Sequence, residues 1–333
     1  MEVLQRAACI GGGVIGGGWV ARLLLNGVDV AVFDPDPQAQ RKVNEVLEGA
    51  QRAYAGLTDM PLPVPGTLRF CATLAEAVAG AQLIQESAPE RLELKRGILN
   101  EIDQHADAQA IIGSSTSGLL PSDLQSQMSH PQRLLVAHPY NPVYLLPLVE
   151  LVAGNATQVD RVAKAKHFYS SLGMKAVVIR KEIDAFVGDR LLEAVWREAL
   201  WLVRDDVATV EEIDDVIRYS FGLRWAQMGL FQVYRIAGGE EGMRHFIEQF
   251  GPSLKWPWTK LMDVPELDEA LVEKIVSQSD AQNEGVSIRE LERIRDDNLI
   301  AIMRGLKGND WGAGALLKAY EGGLREEARK VEG

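Results

Sequence analysis

The sequence predicts an α/β protein of two domains, in which a doubly wound parallel sheet is followed by an all-α C-terminal domain. Up to about residue 182, short apolar runs alternate with longer helical patterns, as in strand–helix–strand units that form a parallel sheet. From residue 183 onward no segment is convincing as a strand, and most of the excess negative charge lies there. We therefore predict one domain over residues 1–182 and a helical domain for substrate binding and dimerisation over residues 183–333.

Seven strands are expected in the first domain. Each is a short run rich in Val, Ile, Leu or Ala, as expected where helices cover both faces of a sheet. In chain order they are Arg6–Ile10, Val28–Phe33, Leu83–Gln85, Ala110–Gly113, Leu134–His138, Leu148–Ala153 and Ala176–Arg180. Helices are expected between the early strands, over Trp19–Leu25, Gln38–Tyr54 and Glu90–His105.

Successive helices are expected in the second domain. Phe186–Val203 carries apolar residues at three- and four-residue steps, and Thr209 with Glu212 forms a capping box that starts the next helix. Further helices are expected over Ala226–Ala237, Glu241–Phe250, Leu267–Ser277 and Ser287–Arg304. The tail after Gly312 is rich in glycine and charge, and we expect it to be partly mobile.

Composition excludes several classes of protein. The 333 residues include 35 basic and 47 acidic side chains, and the net charge of −12 disfavours a nucleic-acid partner, which requires a basic face. Cys9 and Cys71 are too few for a disulfide framework, which fits a reducing compartment. The sequence shows neither a long apolar run nor the basic start and cleavage site of a signal peptide. We expect a cytoplasmic protein that binds no membrane, and no metal site.

A glycine-rich turn follows the first predicted strand and opens a helix. Its G-x-G-x-x-G pattern is the fingerprint of a Rossmann-type dinucleotide-binding unit. The first glycine permits the tight turn, the second lets the backbone approach a pyrophosphate, and the third allows helix and strand to pack closely. The amides and the positive end of the helix hold the phosphates. The candidate cofactor-binding residues of the turn are Gly11, Gly12, Gly13, Val14, Ile15 and Gly16.

Asp34 is the candidate ligand of the cofactor's ribose. It ends the second predicted strand, 18 residues after Gly16. Its carboxylate can accept hydrogen bonds from both ribose hydroxyls and would repel a 2′-phosphate. No Lys or Arg occurs between Asp34 and Arg41, and no second flavin-type motif is present, so NAD is favoured over NADP and FAD. A structural glycine turn with a helix-capping Asp is the alternative.

His138 and Glu150 are candidate catalytic residues. His138 ends one predicted strand and Glu150 lies in the next, so adjacent strands would bring the side chains together. A carboxylate bonded to one imidazole nitrogen fixes the tautomer and leaves the other nitrogen to take a proton. The hydroxyl-rich run Ser114–Ser117 follows another strand, at the carboxyl edge where ligands bind in open parallel sheets. A structural His–Glu pair is the alternative.

Several motifs resemble the 3-hydroxyacyl-CoA dehydrogenase family over nearly the whole chain. They are the glycine turn, Glu86-Ser-Ala-Pro-Glu90 with Lys95, Ser114-Ser-Thr-Ser117, His138-Pro-Tyr-Asn141-Pro, Leu-Val-Glu150, and Phe186-Val-Gly-Asp189-Arg190-Leu. The resemblance implies that Ser117, His138, Glu150 and Asn141 surround the reacting carbon, with Asp189 in place of a further Asn. It implies that Glu90 and Lys95 lie near the nicotinamide end of NAD. It also implies a homodimer that pairs through the helical domain.

Two departures from that family argue against a CoA thioester as substrate. The segment between Asp34 and Glu86 is shorter than in the CoA enzymes and carries few basic residues, so the part that faces the CoA phosphates is trimmed. Asp189 places a negative charge where those enzymes have a neutral amide. This charge suits a cationic substrate, although Asp189 can instead hold Arg190 or cap its own helix.

Further stretches, such as Gly222-Leu-Arg-Trp-Ala226, resemble the branch of the family that oxidises L-carnitine. The resemblance implies oxidation of the C3 hydroxyl of this small-molecule substrate, carnitine, to 3-dehydrocarnitine. Residues 219–258 hold nine of the 22 aromatic residues, and a quaternary ammonium is bound by aromatic faces and an anion because it has no N–H to donate. Candidate substrate contacts are Asp189, Tyr140, Tyr144, Arg224, Trp225 and Phe250.

Other functions remain open at this point. Each aromatic ring can equally belong to the core or to a subunit contact, and Arg224 can form a surface salt bridge instead of binding the substrate carboxylate. The enzyme alternatives are a dehydrogenase of another small 3-hydroxy acid, such as L-gulonate in the lambda-crystallin branch, and a short 3-hydroxyacyl-CoA dehydrogenase. A non-catalytic, NAD-binding structural relative is the alternative from another class.

Overall fold

The computed structural model describes residues 2–238, 240, 242–255, 259, 266, 268–282 and 285–332. Trp256 and Trp258 of the aromatic-rich stretch, and Glu241 and Leu267 at the starts of two predicted helices, lie outside the described residues. The chain forms two compact units: unit 1 comprises Met1–Val187 and Asp296–Gly333, and unit 2 comprises Gly188–Arg295. None of the helices in the described part of the chain has the length and apolarity that crossing a membrane requires.

Unit 1 is built on one eight-stranded sheet. Its strands are β1 (Arg6–Ile10), β2 (Asp29–Phe33), β3 (Leu68–Phe70), β4 (Leu83–Glu86), β5 (Ile111–Ser114), β6 (Leu134–Pro139), β7 (Leu148–Ala153) and β8 (Lys175–Ile179). Their order across the sheet is β3-β2-β1-β4-β5-β6-β7-β8. All neighbours are parallel except β6 and β7, whose short connection leaves no room for a crossover helix.

The predicted doubly wound sheet is confirmed, with two refinements. All seven predicted strands are present, and their ends agree with the prediction to within one residue. The sequence missed β3, which has only three residues, all at least partly exposed. So short an edge strand shows neither an apolar run nor an alternating pattern. The antiparallel β6–β7 pair is the second refinement, and it aligns the two candidate catalytic strands.

Helices cover both faces of the sheet. They are α1 (Val14–Leu25), α2 (Ala39–Leu57), α3 (Leu74–Val78), α4 (Leu92–His105), α5 (Pro121–Gln125) and α6 (Val159–Ser171). Alternate residues of β1 belong to different apolar clusters: Ala7 and Cys9 to one, Ala8 and Ile10 to the other. Because successive side chains of a strand point to opposite faces, these clusters are the two cores on either side of the sheet.

Unit 2 is helical, and its described residues include no strand. Its helices are α7 (Gly188–Arg204), α8 (Val210–Tyr219), α9 (Phe221–Trp225), α10 (Leu230–Ala237), α11 (Gly242–Phe250) and α12 (Glu269–Gln282). The predicted capping box starts α8: the Thr209 hydroxyl accepts the Glu212 N–H at 3.2 Å, and Glu212 accepts the Thr209 N–H at 2.8 Å. The all-α class predicted for this part of the chain is confirmed.

The last residues of the chain, Asp296–Gly333, belong to unit 1, whereas the predicted helical domain extended over residues 183–333. The helix α13 (Ile288–Gly308) crosses from unit 2 into unit 1, and α14 (Gly312–Glu332) lies within unit 1. Ile300, Met303 and Leu317 are buried in a cluster with Ala50 and Tyr54 of α2. The tail is helical, because its apolar residues have a face of α2 to pack against.

Candidate active site

The glycine turn between β1 and α1 has no room for side chains at two positions. Gly11 has φ +101°, and a Cβ there would lie 2.7 Å from the Ser87 carbonyl oxygen. A Cβ at Gly16 would lie 1.9 Å from the Gly11 carbonyl oxygen. Gly11 thus makes the tight turn, and Gly16 lets α1 pack against it. At Gly13, a Cβ would meet no protein atom within 4 Å, so the backbone there is open to a pyrophosphate.

Asp34 follows β2 directly and is held by the turn itself. Its Oδ2 accepts the Gly12 N–H at 2.6 Å, and its Oδ1 accepts the Asp36 N–H at 2.8 Å. Each carboxylate oxygen has a second lone pair, so the oriented side chain keeps acceptor capacity for ribose hydroxyls. With the open backbone at Gly13, this arrangement fits NAD.

A cavity of about 640 Å³ lies beside the turn, and its lining includes Asp34. It is also lined by Lys42 and Arg91, two basic residues that were not among the predicted cofactor contacts. Lys42 Nζ lies 2.6 Å from Asp36 Oδ2, and this hydrogen bond lowers the pKa of the Asp36 carboxyl. The positive charge of Lys42 is therefore neutralised by Asp36, two residues after Asp34. The only sequence signal for Arg91 was its position directly after Glu90.

The antiparallel pairing of β6 and β7 brings His138 and Glu150 together. The two residues are register partners, and His138 Nδ1 lies 3.0 Å from Glu150 Oε2. Both are buried, at 4% and 3% exposure. This confirms that adjacent strands unite the two side chains. Because Nδ1 donates to the carboxylate, Nε2 is the nitrogen that can accept a proton.

Glu150 has further donors. The Tyr140 hydroxyl donates to the same Oε2 at 2.9 Å, and the Val187 N–H donates to Oε1 at 3.2 Å. The His138 ring packs 4.9 Å from the Tyr140 ring and 5.5 Å from the ring of Phe186, which is fully buried. Phe186 and Val187 belong to a family motif in the sequence, but nothing in it linked them to Glu150.

Ser117 lies in the loop that follows β5, the neighbour of the strand that carries His138. Ser114 of β5 is the register partner of Val136 in the parallel strand β6. Ser117 lies three residues after Ser114, and His138 two residues after Val136. Both residues therefore lie at the carboxyl ends of neighbouring parallel strands, where ligands bind in doubly wound sheets.

Glu90 holds the loop that carries Ser117. Its Oε1 accepts the Ser117 N–H at 3.1 Å and the Gly118 N–H at 3.2 Å, and it also accepts the Thr116 hydroxyl. Its side chain is still 42% exposed. Contact of Glu90 with the cofactor stays a prediction, whereas its hold on the loop is a feature that the sequence did not reveal.

Lys95 is buried, and its place near the nicotinamide end of NAD stays a prediction. It is only 1% exposed, and its ammonium lies 2.8 Å from Glu86 Oε1 and 2.9 Å from the Ala88 carbonyl oxygen. Glu86 is fully buried and also accepts the Ser114 hydroxyl. The buried ion pair thus joins α4 to the end of β4, and the Ser114 hydroxyl joins Glu86 to the end of β5.

Asn141 and Tyr144, which follow His138, have different surroundings. Asn141 is exposed, and its role beside the reacting carbon stays a prediction. Tyr144 is 8% exposed in an apolar cluster, and its hydroxyl donates to Asp296 Oδ2 at 2.6 Å. The structure therefore contradicts a substrate contact for Tyr144. Its aromatic type suggested a cage, but the packing of α13 makes it a core residue.

The remaining candidate substrate contacts belong to unit 2, and their role stays a prediction. Asp189 lies in the first turn of α7, and Arg224 in α9. Trp225 is 42% exposed and lies 4.6 Å from the Phe221 ring. Phe250 is 45% exposed and lies next to another aromatic residue of α11.

The two parts of the chain match two parts of one family. Residues 6–183 match the 3-hydroxyacyl-CoA dehydrogenase NAD binding domain, and residues 186–277 match the 3-hydroxyacyl-CoA dehydrogenase C-terminal domain. The chain belongs to the 3-hydroxyacyl-CoA dehydrogenase family. The resemblance noted in the motifs is confirmed, NAD is the cofactor, and the protein is an NAD-dependent oxidoreductase.

Similar members of the 3-hydroxyacyl-CoA dehydrogenase family cover nearly the whole chain. The L-carnitine dehydrogenase of Mesorhizobium japonicum is 64% identical over 99% of this chain and 92% of its own length. The L-carnitine dehydrogenase/betainyl-CoA thioesterase of Rhizobium sp is 64% identical over 100% of this chain and 68% of its own length. The crystal structure of 5-formyl-3-hydroxy-2-methylpyridine 4-carboxylic acid 5-dehydrogenase, an NAD⁺-dependent dismutase, is 28% identical with a TM-score of 0.77, covering 92% of this chain and 99% of that chain.

Proposed function

We propose that the protein oxidises the C3 hydroxyl of L-carnitine to 3-dehydrocarnitine, with NAD as the oxidant. The identity of 64% over 99% of the chain with a relative named L-carnitine dehydrogenase carries this assignment. The buried His138–Glu150 pair, with Nδ1 and Oε2 3.0 Å apart, provides the acid–base group that the reaction needs.

In the proposed mechanism His138 is the general base. Its Nε2 takes the proton of the C3 hydroxyl, and Glu150 stabilises the imidazolium that forms. Bound NAD supplies the acceptor for the hydride that leaves C3. Ser117 and Asn141 hydrogen-bond the C3 oxygen and orient the substrate, which lowers the barrier through proximity and prearranged dipoles.

The two charged ends of carnitine need different partners. Its trimethylammonium group has no N–H, so an anion and aromatic faces are its natural ligands. Asp189, Trp225 and Phe250 are the proposed groups at that end, and Arg224 is the proposed partner of the carboxylate. The side-chain chemistry of these residues in the helical unit supports the assignment.

Absorbance of NADH tests the substrate directly. The protein is mixed with NAD and, separately, with L-carnitine, L-gulonate, 3-hydroxybutyrate or a short 3-hydroxyacyl-CoA. We expect rapid NADH formation with L-carnitine alone. Turnover of a sugar acid or a CoA thioester without carnitine turnover would overturn the proposal, and no turnover of any of the four would favour a structural relative.

We propose that the protein works in the cytoplasm as a homodimer paired through the helical unit. Large apolar side chains of that unit are exposed in the single chain, among them Trp196 (54%) and Phe231 (75%). Cys9 and Cys71 form no disulfide, which fits a reducing compartment. Size-exclusion chromatography with light scattering tests the dimer, and a monomer mass would contradict it.

A further inference from the structure

We propose that Tyr140 is a positioning residue for the reaction, because its hydroxyl stabilises the deprotonated form of the His138–Glu150 pair. The inference rests on the proposed function, in which this deprotonated pair is the form that accepts the substrate proton. It also replaces the expectation that Tyr140 contacts the trimethylammonium group of the substrate.

The Tyr140 hydroxyl donates to the same Glu150 oxygen that lies against the imidazole. Glu150 Oε2 receives the hydroxyl at 2.9 Å and lies 3.0 Å from His138 Nδ1, so one oxygen serves both donors. The Tyr140 and His138 rings lie 4.9 Å apart at an interplanar angle of 56°. The ring contact and the hydroxyl contact are thus separate interactions, and a substitution by Phe removes only the second.

Several elements of unit 1 contribute neighbours of the His138–Glu150 pair. The strand β6 leads into Tyr140, and β8 contributes Val177, the register partner of Glu150. The segment after β8 contributes the Phe186 ring and the Val187 N–H. Of these four residues, Tyr140 is the titratable one.

Charge explains the direction of the effect. With the pair deprotonated, the buried carboxylate bears a full negative charge, and a hydroxyl donor stabilises it strongly. When the pair takes up a proton, the charge of that proton offsets the carboxylate, so the same hydroxyl contributes less. Tyr140 therefore favours the deprotonated pair, whichever of the two residues carries the added proton.

The variant Tyr140→Phe tests the proposal in the whole 333-residue chain with NAD bound. We expect the acid limb of the pH profile of kcat/KM for L-carnitine to move to higher pH by about 0.5 to 1 unit, since a hydrogen bond to a charged group is partly lost. We expect the plateau of kcat/KM at high pH to stay within about threefold of the wild-type value, because the imidazole keeps its carboxylate partner. A lowered plateau with an unmoved acid limb would show a structural role only and would overturn the proposal.

Titration of the His138 imidazole by NMR gives a readout that needs no substrate. The chain has five histidines, and the His138 signal is identified by its loss in His138→Gln. The midpoint is expected to rise in Tyr140→Phe and to fall when 3-fluorotyrosine, a stronger donor, replaces Tyr140. If the midpoint follows donor strength while carnitine is not oxidised, the proposed function fails and the role of Tyr140 stands. An unmoved midpoint in both proteins overturns the role of Tyr140.

Tyr144→Phe is the matched control. It removes a phenolic hydroxyl that donates to another buried carboxylate, Asp296, at 2.6 Å. Since that carboxylate is not part of the pair, Tyr144→Phe is expected to leave both the acid limb and the His138 midpoint unchanged. An equal shift in both variants would mean that any lost hydroxyl has this effect, and would overturn the proposal.

Discussion

At the scale of single residues, the site depends on the Glu150 carboxylate, which is buried but hydrogen-bonded by several protein groups. Glu150 is 3% exposed, and burial of an ion is costly unless hydrogen bonds replace its water. His138, Tyr140 and the Val187 N–H provide such contacts. Together they hold the carboxylate against Nδ1 of the imidazole, so that Nε2 is the nitrogen that takes the proton in the proposed mechanism.

Replacing His138 by Ala is expected to lower kcat by about 10³-fold or more, because a positioned general base contributes about 10² to 10⁴ and alanine has no group that can take the proton. The glycine turn and Asp34 are untouched, so NAD affinity is expected to persist. Steady-state kinetics and NAD titration measure the two effects. Retention of most of the activity would rule out His138 as the base.

Gly16→Ala is expected to weaken NAD binding at least about tenfold, because the added Cβ would lie 1.9 Å from the Gly11 carbonyl oxygen and must displace the turn. Isothermal titration with NAD measures the loss. Gly97→Ala is the matched control, since a Cβ in that part of α4 meets no atom within 4 Å. Unchanged NAD affinity in Gly16→Ala would contradict the assigned role of the turn.

At the scale of elements, buried ion pairs join the ends of helices and strands around the sheet. Asp103 of α4 accepts two hydrogen bonds from the guanidinium of Arg133, which precedes β6. Its Oδ1 lies 2.8 Å from Nη2 and 3.2 Å from Nε. Asp103 also accepts the N–H groups of Ser129 and His130. Burial acts to raise the pKa of Asp103, but the hydrogen bonds and the charge of Arg133 outweigh it, and the pKa is lowered. The pair thus holds α4 to the segment that precedes β6, the strand that carries His138.

Asp103→Asn is expected to lower the free energy of unfolding at neutral pH by about 3 kcal/mol, because Arg133 remains charged and only 2% exposed. A lowered pKa in the folded state gives stability that is present above the unfolded value, about 3.9, and is lost as the pH falls through the folded value. The gap between wild type and variant should therefore shrink in acid. Urea unfolding at several pH values measures it.

The exposed carboxyl of Asp160 provides the control for that experiment. Its side chain is 72% exposed and 3.7 Å from Arg161, and Asp160→Asn is expected to change stability by less than about 0.5 kcal/mol. A stability gap for Asp103→Asn that stays constant down to acidic pH would contradict the account of the pair.

At the scale of the whole molecule, the chain returns to its first unit after forming the helical one. Arg52 of α2 contacts the returning chain, since its guanidinium lies 2.6 Å from the Asp297 carboxylate of α13. Lys307 likewise joins Asp59 to Glu321, and its hydrogen bonds to both carboxylates raise the pKa of its ammonium. Charged contacts thus border the apolar cluster that α13 and α14 form with α2.

Leu317→Ala is expected to lower the stability of the NAD-binding unit by about 2 to 4 kcal/mol, because Leu317 is 5% exposed in that cluster. Unfolding in urea with and without NAD identifies the unit, since NAD raises the urea concentration at the midpoint of unfolding for the unit that binds it. Val64→Ala, at a position 87% exposed in the same unit, is the control. An unchanged NAD-dependent transition in Leu317→Ala would contradict the assignment of α14 to this unit.

The sequence by itself determined the doubly wound sheet, the helical second part, the glycine turn with Asp34, and the pairing of His138 with Glu150. These features are set by short-range patterns: apolar runs, helical spacing, glycine positions and strands that follow one another directly. Such patterns are written in consecutive residues, so they can be read without knowledge of distant contacts.

Only the tertiary structure decided the features that depend on residues far apart in the chain. The antiparallel register placed His138 and Tyr140 on one oxygen of Glu150, and the ion pair with Glu86 buried the Lys95 side chain. The packing of α13 made Tyr144 a core residue, and the tail helix α14 packs in the same apolar cluster as α2. Burial and hydrogen-bond partners belong to the packed chain as a whole, and this is why composition and spacing did not reveal them.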